Sequence, residues 1–214
     1  MSILSDKKAV KFSEMTEHEQ QFLRTILKNK QPKKVLEIGM SAGGTTVLLL
    51  EELARETILY SVDINEFHYR DKQRKSGFIA DEFYDRKLHA EWIKLTGKDI
   101  SFFIEQIGSD IDFVILDTVH RLPGGVLDFV TILPYLNNDA CIIIHDIGLH
   151  ALYKLKSGKN TPMHKQHCYS CSLLYSAINS EIKISYGNKI IPNIGCIEIN
   201  KQNVWSFPKM VDLL

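Results

Sequence analysis

The sequence predicts an α/β fold: a three-layer α/β/α sandwich around a doubly wound, mostly parallel sheet that ends in a C-terminal antiparallel hairpin. Apolar runs alternate with segments of helical periodicity along most of the 214 residues, an order that builds parallel strands joined by crossover helices. The apolar runs 111–116 and 140–144 are almost uninterrupted, as is typical of central strands buried on both faces. Two β-rich runs, 181–186 and 194–199, are too close together for a crossover helix and must pair antiparallel.

The elements follow in order along the chain. The first is an amphipathic helix over residues 14–30, in which apolar side chains such as Phe22, Leu23 and Ile26 recur at helical spacing. Five parallel strands are predicted over 34–38, 58–62, 92–95, 111–116 and 140–144. Further helices are predicted over 45–55, 79–88, 99–107, 122–136 and 169–179. A basic connection follows the second strand, and a long loop follows the fifth.

Length and charge limit the classes of protein that this chain can be. One domain over residues 33–214, preceded by an N-terminal helical extension over 1–32, fits the length. The 26 Lys and Arg residues equal the 26 Asp and Glu residues, so a field that attracts nucleic acid or anionic membrane is absent. No apolar run approaches the length of a bilayer span, and the start lacks the apolar centre of a secretory signal. We therefore expect a cytoplasmic protein with neither nucleic-acid nor membrane partners.

The turn after the first strand is the most informative segment. It contains Glu37, Gly39, Ser41 and Gly43, and the next strand ends at Asp63. Backbone without side chains can approach a ligand closely, and an acid at the tip of the second strand can accept both hydroxyl hydrogens of a ribose. A dinucleotide turn reads G-x-G-x-x-G, whereas here Ser41 takes the middle glycine position and Glu37 suits a cationic ligand better than a pyrophosphate. An NAD-linked oxidoreductase is the alternative.

Every predicted parallel strand is followed by a carboxylate. Because parallel strands end at one edge of the sheet, and ligands bind beyond that edge, these side chains form the candidate site. They are Glu37, Asp63, Asp99, Asp117 and Asp146. Carboxylates gathered at one edge repel one another unless cations or hydrogen-bond donors lie between them. The pattern therefore predicts a cationic ligand or a metal ion.

Three segments carry a family resemblance: VLEIGMSAGG at 35–44, IDFVILDTVH at 111–120 and IIIHDI at 142–147. They resemble the class I S-adenosylmethionine-dependent methyltransferases, in particular the branch that contains metal-assisted small-molecule and sugar O-methyltransferases. The resemblance covers roughly residues 33–200. It implies a Rossmann-like methyltransferase fold, S-adenosylmethionine as cofactor, and O-methylation of a small-molecule or glycan acceptor.

The resemblance also implies roles for individual residues. Glu37 would face the methionine end of the cofactor, Asp63 its ribose and Asp99 its adenine. The expected cofactor-binding residues are Glu37, Gly39, Ser41, Gly43, Asp63, Asp99 and Asp117. Asp117 and Asp146 would hold Mg²⁺ or another divalent cation that directs a deprotonated acceptor oxygen at the methyl group. The expected metal ligands are Asp117, His145 and Asp146.

Two departures from the family pattern leave the metal open. Catechol-type relatives carry Asn directly after the second acid, where this chain has Ile147, and another sub-branch carries Glu before it, where this chain has His145. Without a metal, Asp117 and Asp146 would cap helices or bind backbone N–H groups, and His145 would be a core histidine bonded to a carbonyl. The expected catalytic residues are Asp117, His120 and Asp146, with His120 as general base or, alternatively, a solvated loop histidine.

Four residues in the C-terminal part form an H-x-x-H-C-x-x-C group, namely His164, His167, Cys168 and Cys171. The group could be a zinc site. Cys171, however, continues a helical apolar pattern, which favours core thiols, with the histidines in a loop over the site or in solvent. With Cys141 and Cys196 the chain has four cysteines, too few to indicate a disulfide framework, so we expect reduced thiols.

Positive charge is concentrated in two segments near the same edge of the sheet. These basic residues are Arg70, Lys72, Arg74, Lys75, Lys154, Lys156, Lys159 and Lys165. We therefore expect an anionic acceptor, such as a sugar phosphate, a nucleotide-linked sugar or an acidic glycan; ordinary solvated lysines are the alternative. The leading helix packs either on its own domain or on a second copy, which leaves a homodimer open. A nucleoside-binding protein without turnover is a third functional class.

Overall fold

The computed structural model describes residues 14–151, 169–180, 183–188 and 191–200. The strands are β1 (Lys34–Ile38), β2 (Ile58–Asp63), β3 (Glu91–Thr96), β4 (Ile111–Leu116), β5 (Leu136–His145), β6 (Lys183–Asn188) and β7 (Ile191–Glu198). They form one seven-stranded sheet in the order β3-β2-β1-β4-β5-β7-β6. Strands β1 to β5 pair in parallel, and β7 is antiparallel to both β5 and β6. The predicted fold class, including the terminal hairpin, is confirmed.

Six helices lie beside this sheet in the described part of the chain. They are α1 (Glu17–Lys30), α2 (Gly44–Glu52), α3 (Phe78–Phe83), α4 (Ile100–Ile107), α5 (Gly124–Ile132) and α6 (Ser170–Ala177). Within the described residues, no helix combines the length and the apolar character needed to cross a membrane.

The helix predicted over 122–136 is too long. Helix α5 ends at Ile132, a 3₁₀ turn covers Leu133–Tyr135, and β5 begins at Leu136, four residues earlier than predicted. Pro134 supplies the physical reason, since proline has no N–H for an α-helical hydrogen bond. Leu136 then pairs with Ile111 at the start of β4, which an apolar pattern interrupted by Asn137, Asn138 and Asp139 does not indicate.

The helix predicted over 79–88 is also too long, because polar side chains form hydrogen bonds with the backbone after Phe83. The carboxylate of Asp85 accepts a hydrogen bond from Lys87 N at 2.8 Å. The N–H of Asp85 in turn donates to His89 Nδ1 at 3.0 Å. Such local side-chain bonds offer the backbone an alternative to the helix.

The two faces of the sheet carry separate apolar cores. Along β4, Phe113 and Ile115 belong to a cluster formed with α1, α2 and α3. Val114 and Leu116 belong to a second cluster formed with α4, α5 and α6. Since successive side chains of a strand point to opposite faces, this alternation produces the three layers. All four side chains are at most 1% exposed, as the sequence predicts for a central strand.

Helix α1 packs on its own domain. Thr16 and Glu19 form a capping box at its start, with Glu19 N donating to Thr16 Oγ1 at 3.3 Å and Thr16 N donating to Glu19 Oε2 at 2.7 Å. Leu23 of α1 is completely buried in the cluster with α2. Arg24 pairs with Glu51 at 2.7 Å and also with Glu52. The segment predicted as an extension therefore contributes, from residue 14 onwards, to the same core.

Candidate active site

The glycine turn (residues 37–43) connects β1 to α2 and approaches the end of β4. Gly39 has a φ of +98°, and a Cβ at this position would lie 1.7 Å from the backbone carbonyl oxygen of Asp117. Only glycine fits both constraints. Gly43 has a φ of +96° and precedes α2 directly. Ser41 adopts the left-handed region as well, with a φ of +51°. The turn is therefore a tight backbone structure set directly beside Asp117.

Glu37 lies beneath this turn in a buried hydrogen-bond chain. Its Oε2 accepts from Thr46 Oγ1 at 2.7 Å and from Ser61 Oγ at 2.6 Å. Trp92 Nε1 donates to Ser61 Oγ at 3.0 Å. Burial, opposed by the two hydroxyl donors and assisted by the negative charges of Asp117 and Asp63, raises the pKa of Glu37 to about 7.

Two polar atoms of the glycine turn have no hydrogen-bond partner within the described residues. They are Glu37 Oε1 and Ser41 Oγ, and both are buried. Buried polar atoms are almost always hydrogen-bonded in folded proteins, so orphaned atoms call for an explanation such as a ligand. Both belong to residues that the sequence indicates as cofactor-binding.

Asp63, at the end of β2, holds the turn in place. Its Oδ2 accepts from the backbone N–H of Ser41 at 2.7 Å. Its Oδ1 accepts from Asn65 N at 2.8 Å and from Asn65 Nδ2 at 3.3 Å. The carboxylate is therefore fixed at the carboxyl edge of the sheet, adjacent to the glycine turn. Its ribose-binding role stays a prediction.

Asp99 is the N-cap of α4. Its Oδ1 accepts from Ser101 N at 2.9 Å and from Ser101 Oγ at 2.5 Å. These hydrogen bonds explain an aspartate at this position without a ligand. The proximity to adenine that the resemblance implies stays a prediction.

The acid–histidine cluster consists of Asp117, His120, His145 and Asp146, which follow or end β4 and β5. His145 Nδ1 lies 3.3 Å from Asp117 Oδ1 and 3.8 Å from Asp146 Oδ1. His120 Nε2 lies 3.3 Å from Asp146 Oδ2. Ligand atoms of Asp117, His120 and Asp146 all lie within 4.8 Å of one another. The structure thus brings together every residue that the sequence indicates as catalytic.

The charges in this cluster depend on one another. Burial lowers the pKa of His145, but the negative charge of Asp117 and the neighbouring carboxylates raise it well above 6.5. Burial raises the pKa of Asp117, yet the positive charge of His145 brings it below its usual value. For Asp146, burial dominates and the pKa is raised, although His145 lowers it. The shifts of both pKa values favour an ion pair between protonated His145 and ionised Asp117.

Two residues of this network have no obvious signal in the sequence. Glu19 of α1 places Oε1 at 3.5 Å from His145 Nε2. Asn193 of β7 donates through Nδ2 to Glu19 Oε1 at 2.9 Å and to Asp146 Oδ1 at 3.0 Å. Burial raises the pKa of Glu19, but His145, Asn193 and Thr16 lower it to about 2. The T-x-x-E capping signature could have marked Glu19 as a helix start, but nothing local links either residue to Asp146.

The basic segments are only partly described. Arg70 pairs with Glu14 at 3.1 Å and lies 4.8 Å from the Tyr69 ring centroid. Arg74 pairs with Asp71 at 3.4 Å, whereas Lys72 and Lys75 are exposed. The four lysines expected near the entrance in the long loop, and also His164, His167 and Cys168, lie outside the described residues. Cys141, Cys171 and Cys196 are free thiols.

The donor set at the cluster fits a divalent cation. Ligand atoms of two carboxylates and one imidazole lie within 4.8 Å of one another, and burial together with the negative charge of Asp117 raises the pKa of Asp146. A cation between the two carboxylates would relieve their repulsion. Among the described residues, Asp117, His120 and Asp146 form the group that could hold it, and the expected ligation by His145 stays a prediction.

Comparison with known proteins agrees with this geometry. A family model described as a methyltransferase domain matches residues 36–147. The fold is shared with Rv0187 from MTB in cofactor-bound form (12% identity, 92% of this chain and 87% of that chain, TM-score 0.64). It is also shared with the O-methyltransferase from Bacillus cereus in complex with SAH (14%, 92% and 88%, TM-score 0.61). A third similar structure is the O-methyltransferase TomG from Streptomyces achromogenes, involved in tomaymycin synthesis, in complex with SAM (14%, 86% and 81%, TM-score 0.59).

The chain has no match among curated proteins. The family model nevertheless spans more than half of the chain, from the strand before the glycine turn to the residue after Asp146. Because that span contains both the glycine turn and the acid–histidine cluster, the chain belongs to the methyltransferase-domain family and is a class I S-adenosylmethionine-dependent methyltransferase.

Proposed function

We propose that the protein methylates an oxygen atom of a small acceptor with the assistance of a divalent cation. The contact between the glycine turn and the acid–histidine cluster is the observation that supports this most. The hydrogen of Gly39 that a Cβ would replace points at the carbonyl oxygen of Asp117, whose carboxylate belongs to the cluster. A sulfonium methyl group held by the turn and an oxygen held by the cluster would therefore meet. Methyl transfer is an in-line displacement that depends mainly on this alignment.

The cofactor would be bound by the residues that the sequence indicates. The unpartnered Glu37 Oε1 is suited to accept a hydrogen bond from the ammonium of the methionine part, and Ser41 Oγ lies in the same buried turn. Asp63 would accept the ribose hydroxyl hydrogens, and Asp99 would lie near the adenine. The positive φ angles of Gly39 and Gly43 shape the turn whose backbone would contact the cofactor.

The acceptor would be bound and activated at the acid–histidine cluster. Asp117 and Asp146 would hold the cation, which, when bound, polarises the acceptor hydroxyl so that it loses its proton more readily. His145 keeps Asp117 ionised through the 3.3 Å contact. His120 Nε2 can serve in two ways, as a general base for the hydroxyl proton or as a further ligand of the cation.

An anionic or sugar-containing acceptor is supported by the exposed lysines of the connection after β2. Lys72 and Lys75 are exposed, without the carboxylate partners that Arg70 and Arg74 have in the described part of the chain. Attraction of an anionic acceptor would make kcat/KM fall as ionic strength rises. The measurement is a series of rates in increasing NaCl with an anionic acceptor and a neutral analogue. A kcat/KM independent of salt for both would contradict the anionic acceptor.

Cofactor binding tests the core of the proposal. We expect S-adenosylmethionine to raise the melting temperature, because a ligand of the folded state stabilises it by mass action, whereas NAD should not. In calorimetry, Asp63→Ala should weaken the affinity about tenfold to a hundredfold, the effect of one lost hydrogen bond to a charged group. Asp139→Ala, at an exposed position of β5, is the matched control and should bind normally.

Three results would contradict parts of the proposal. Stabilisation by NAD alone would favour the oxidoreductase alternative. If Asp63→Ala binds S-adenosylmethionine with wild-type affinity, this carboxylate does not bind the ribose. Methyl transfer itself is measured with labelled S-adenosylmethionine and a panel of catechol, sugar and sugar-phosphate acceptors. Cofactor binding without transfer to any hydroxyl, at any acceptor concentration, would favour a binding protein.

A further inference from the structure

We infer that His120 is a ligand of the cation and that the site therefore takes a first-row transition-metal ion, such as Mn²⁺, Co²⁺ or Zn²⁺, in preference to Mg²⁺. The inference rests on the proposed function for the existence of a cation at Asp117 and Asp146. It adds the third ligand and the class of metal.

The first observation concerns the types and separations of the possible ligand atoms. One ligand atom each from Asp117, His120 and Asp146 lies within 4.8 Å of the others. His120 Nε2 lies 3.3 Å from Asp146 Oδ2, a separation that two ligands of one ion commonly have. Mg²⁺ prefers oxygen ligands and retains several waters, whereas imidazole nitrogen suits the transition metals. A site of two carboxylates and one imidazole therefore selects against Mg²⁺.

The second observation is the way in which the ring of His120 is held. Its backbone carbonyl accepts a hydrogen bond from Ser170 N at 3.1 Å. Its Nδ1 lies 3.9 Å from Cys171 Sγ. Both partners belong to α6, so this helix fixes the backbone and one ring nitrogen together. Metal-bound histidines usually have their second nitrogen engaged in this manner, which leaves the first directed at the metal. Here the nitrogen left facing the carboxylates is Nε2.

The neighbouring residues are less suited to be the third ligand. His145 has Nδ1 at 3.3 Å from Asp117 and Nε2 at 3.5 Å from Glu19, so each ring nitrogen already faces a carboxylate oxygen. Asn193 presents its amide nitrogen to Asp146. Ile147 stands where catechol-type relatives carry an asparagine, and its side chain has no donor atom. Only 3% of the His145 side chain is exposed, compared with 34% for His120, which also favours His120 as the accessible ligand.

Metal titration of the full chain tests the inference. After treatment with a chelator, the protein is titrated calorimetrically with MnCl₂, CoCl₂ and MgCl₂. We expect Mn²⁺ and Co²⁺ to bind about tenfold or more tightly than Mg²⁺. Pulsed EPR of the Mn²⁺-loaded protein should show coupling to a directly bound ¹⁴N nucleus. In His120→Asn that coupling should disappear, and the affinity for Mn²⁺ should fall by about tenfold to a hundredfold, while the affinity for Mg²⁺ changes little.

His89→Asn is the matched control, since it makes the same change before β3, at the opposite edge of the sheet, and should leave both readouts as in the wild type. Three results overturn the inference: equal affinities for Mg²⁺ and Mn²⁺, a ¹⁴N coupling that survives in His120→Asn, or no ion bound. The ion preference and the ¹⁴N coupling are measured on the wild type as well, so they decide even if the variant fails to fold.

Failure of the inference is distinguishable from failure of the proposed function. S-Adenosylmethionine binding and methyl transfer are measured on the same samples. A protein that methylates hydroxyl groups with Mg²⁺ or without any ion contradicts the role of His120 and leaves O-methylation intact. A wild-type protein that shows the ¹⁴N coupling to Mn²⁺ but does not bind S-adenosylmethionine contradicts the proposed function instead.

Discussion

The glycine turn and the acid–histidine cluster touch each other, yet they are held together by different forces. At the turn, carboxylates accept hydrogen bonds from neutral donors: Glu37 accepts from two hydroxyl groups, and Asp63, at the adjacent end of β2, accepts from backbone and side-chain N–H groups. In the cluster, carboxylates face imidazole rings, with His145 between Asp117 and Glu19. The turn therefore depends on backbone shape. The cluster depends on a balance of buried charges, in which loss of one member leaves the others uncompensated.

Gly39→Ala should have the largest effect, because it breaks the point at which the two regions meet. The backbone conformation alone, with a φ of +98°, costs a non-glycine residue about 1–3 kcal/mol. In addition, the new Cβ would lie 1.7 Å from the carbonyl oxygen of Asp117, so the turn or the end of β4 must move. We expect a loss of unfolding free energy beyond that range and a loss of S-adenosylmethionine binding. Urea unfolding measures the free energy, and calorimetry measures the binding.

Gly97→Ala is the control for backbone strain. Gly97 has a φ of +85°, but the nearest atom to an added Cβ is 3.8 Å away. This variant should therefore show the cost of the conformation without the overlap. If both variants lose the same free energy of unfolding, the close contact between Gly39 and the carbonyl of Asp117 does not limit this position. The proposed contact between the two regions would then be contradicted.

Glu19→Gln tests whether the cluster depends on charge. Glutamine keeps the shape of the side chain and can still serve in a capping box, but it removes the negative charge that faces His145. We expect a loss of about 1.5–3 kcal/mol in the free energy of unfolding at pH 7, the size of one charged hydrogen bond. The pKa of Glu19 is lowered from 4.5 to about 2, so its contribution is present above pH 4.5 and is lost as the pH falls toward 2.

Glu17→Gln is the matched control for this experiment, since Glu17 is exposed in the first turn of the same helix. It should change stability by no more than about 0.5 kcal/mol. The difference between Glu19→Gln and the wild type should shrink when chemical unfolding is repeated at pH 3. A difference that is the same at both values of pH would mean that packing, and not charge, connects α1 to the cluster.

The two regions also differ in how far the sequence predicts them. Residues of the glycine turn lie close together in the chain, and their spacing before an apolar helix indicates their structure directly. Asp117 and Asp146 are predictable too, because parallel strands β4 and β5 end at the same edge of the sheet. Glu19 and Asn193 are not predictable in this way. They are 174 positions apart and meet only because β7 returns antiparallel beside β5, which brings a side chain of no special pattern to Asp146.

The choice of histidine shows the same limit. The sequence leaves two roles open for each histidine: His145 as a metal ligand or a core histidine, and His120 as a general base or a solvated loop histidine. In the fold, His145 ends the buried strand β5 and lies between carboxylates, whereas His120 lies in the loop after β4 and is positioned by α6. The sequence does not show which groups face each ring nitrogen, because those contacts are made between elements that are distant in the chain.

The smallest effect is expected at Glu37, the residue in which the turn resembles the cluster most. Burial and two nearby carboxylates raise the pKa of Glu37 from 4.5 to about 7, against its hydroxyl donors. Between these values the unfolded chain has lost the proton and the folded protein keeps it, so stability falls as the pH rises through this window. In the Glu37→Gln variant this side chain has no proton to lose. Relative to that variant, the free energy of unfolding of the wild type should fall by about 1 kcal/mol per pH unit between pH 5 and 6.5. Urea unfolding at several values of pH measures the difference, with Glu82→Gln at an exposed position as control.

A difference independent of pH would mean that the hydroxyl groups of Thr46 and Ser61 keep Glu37 ionised. The turn would then hold a buried negative charge, as the cluster does, and the contrast between the two regions would be one of compensation, by hydroxyl dipoles in one and by an imidazolium in the other.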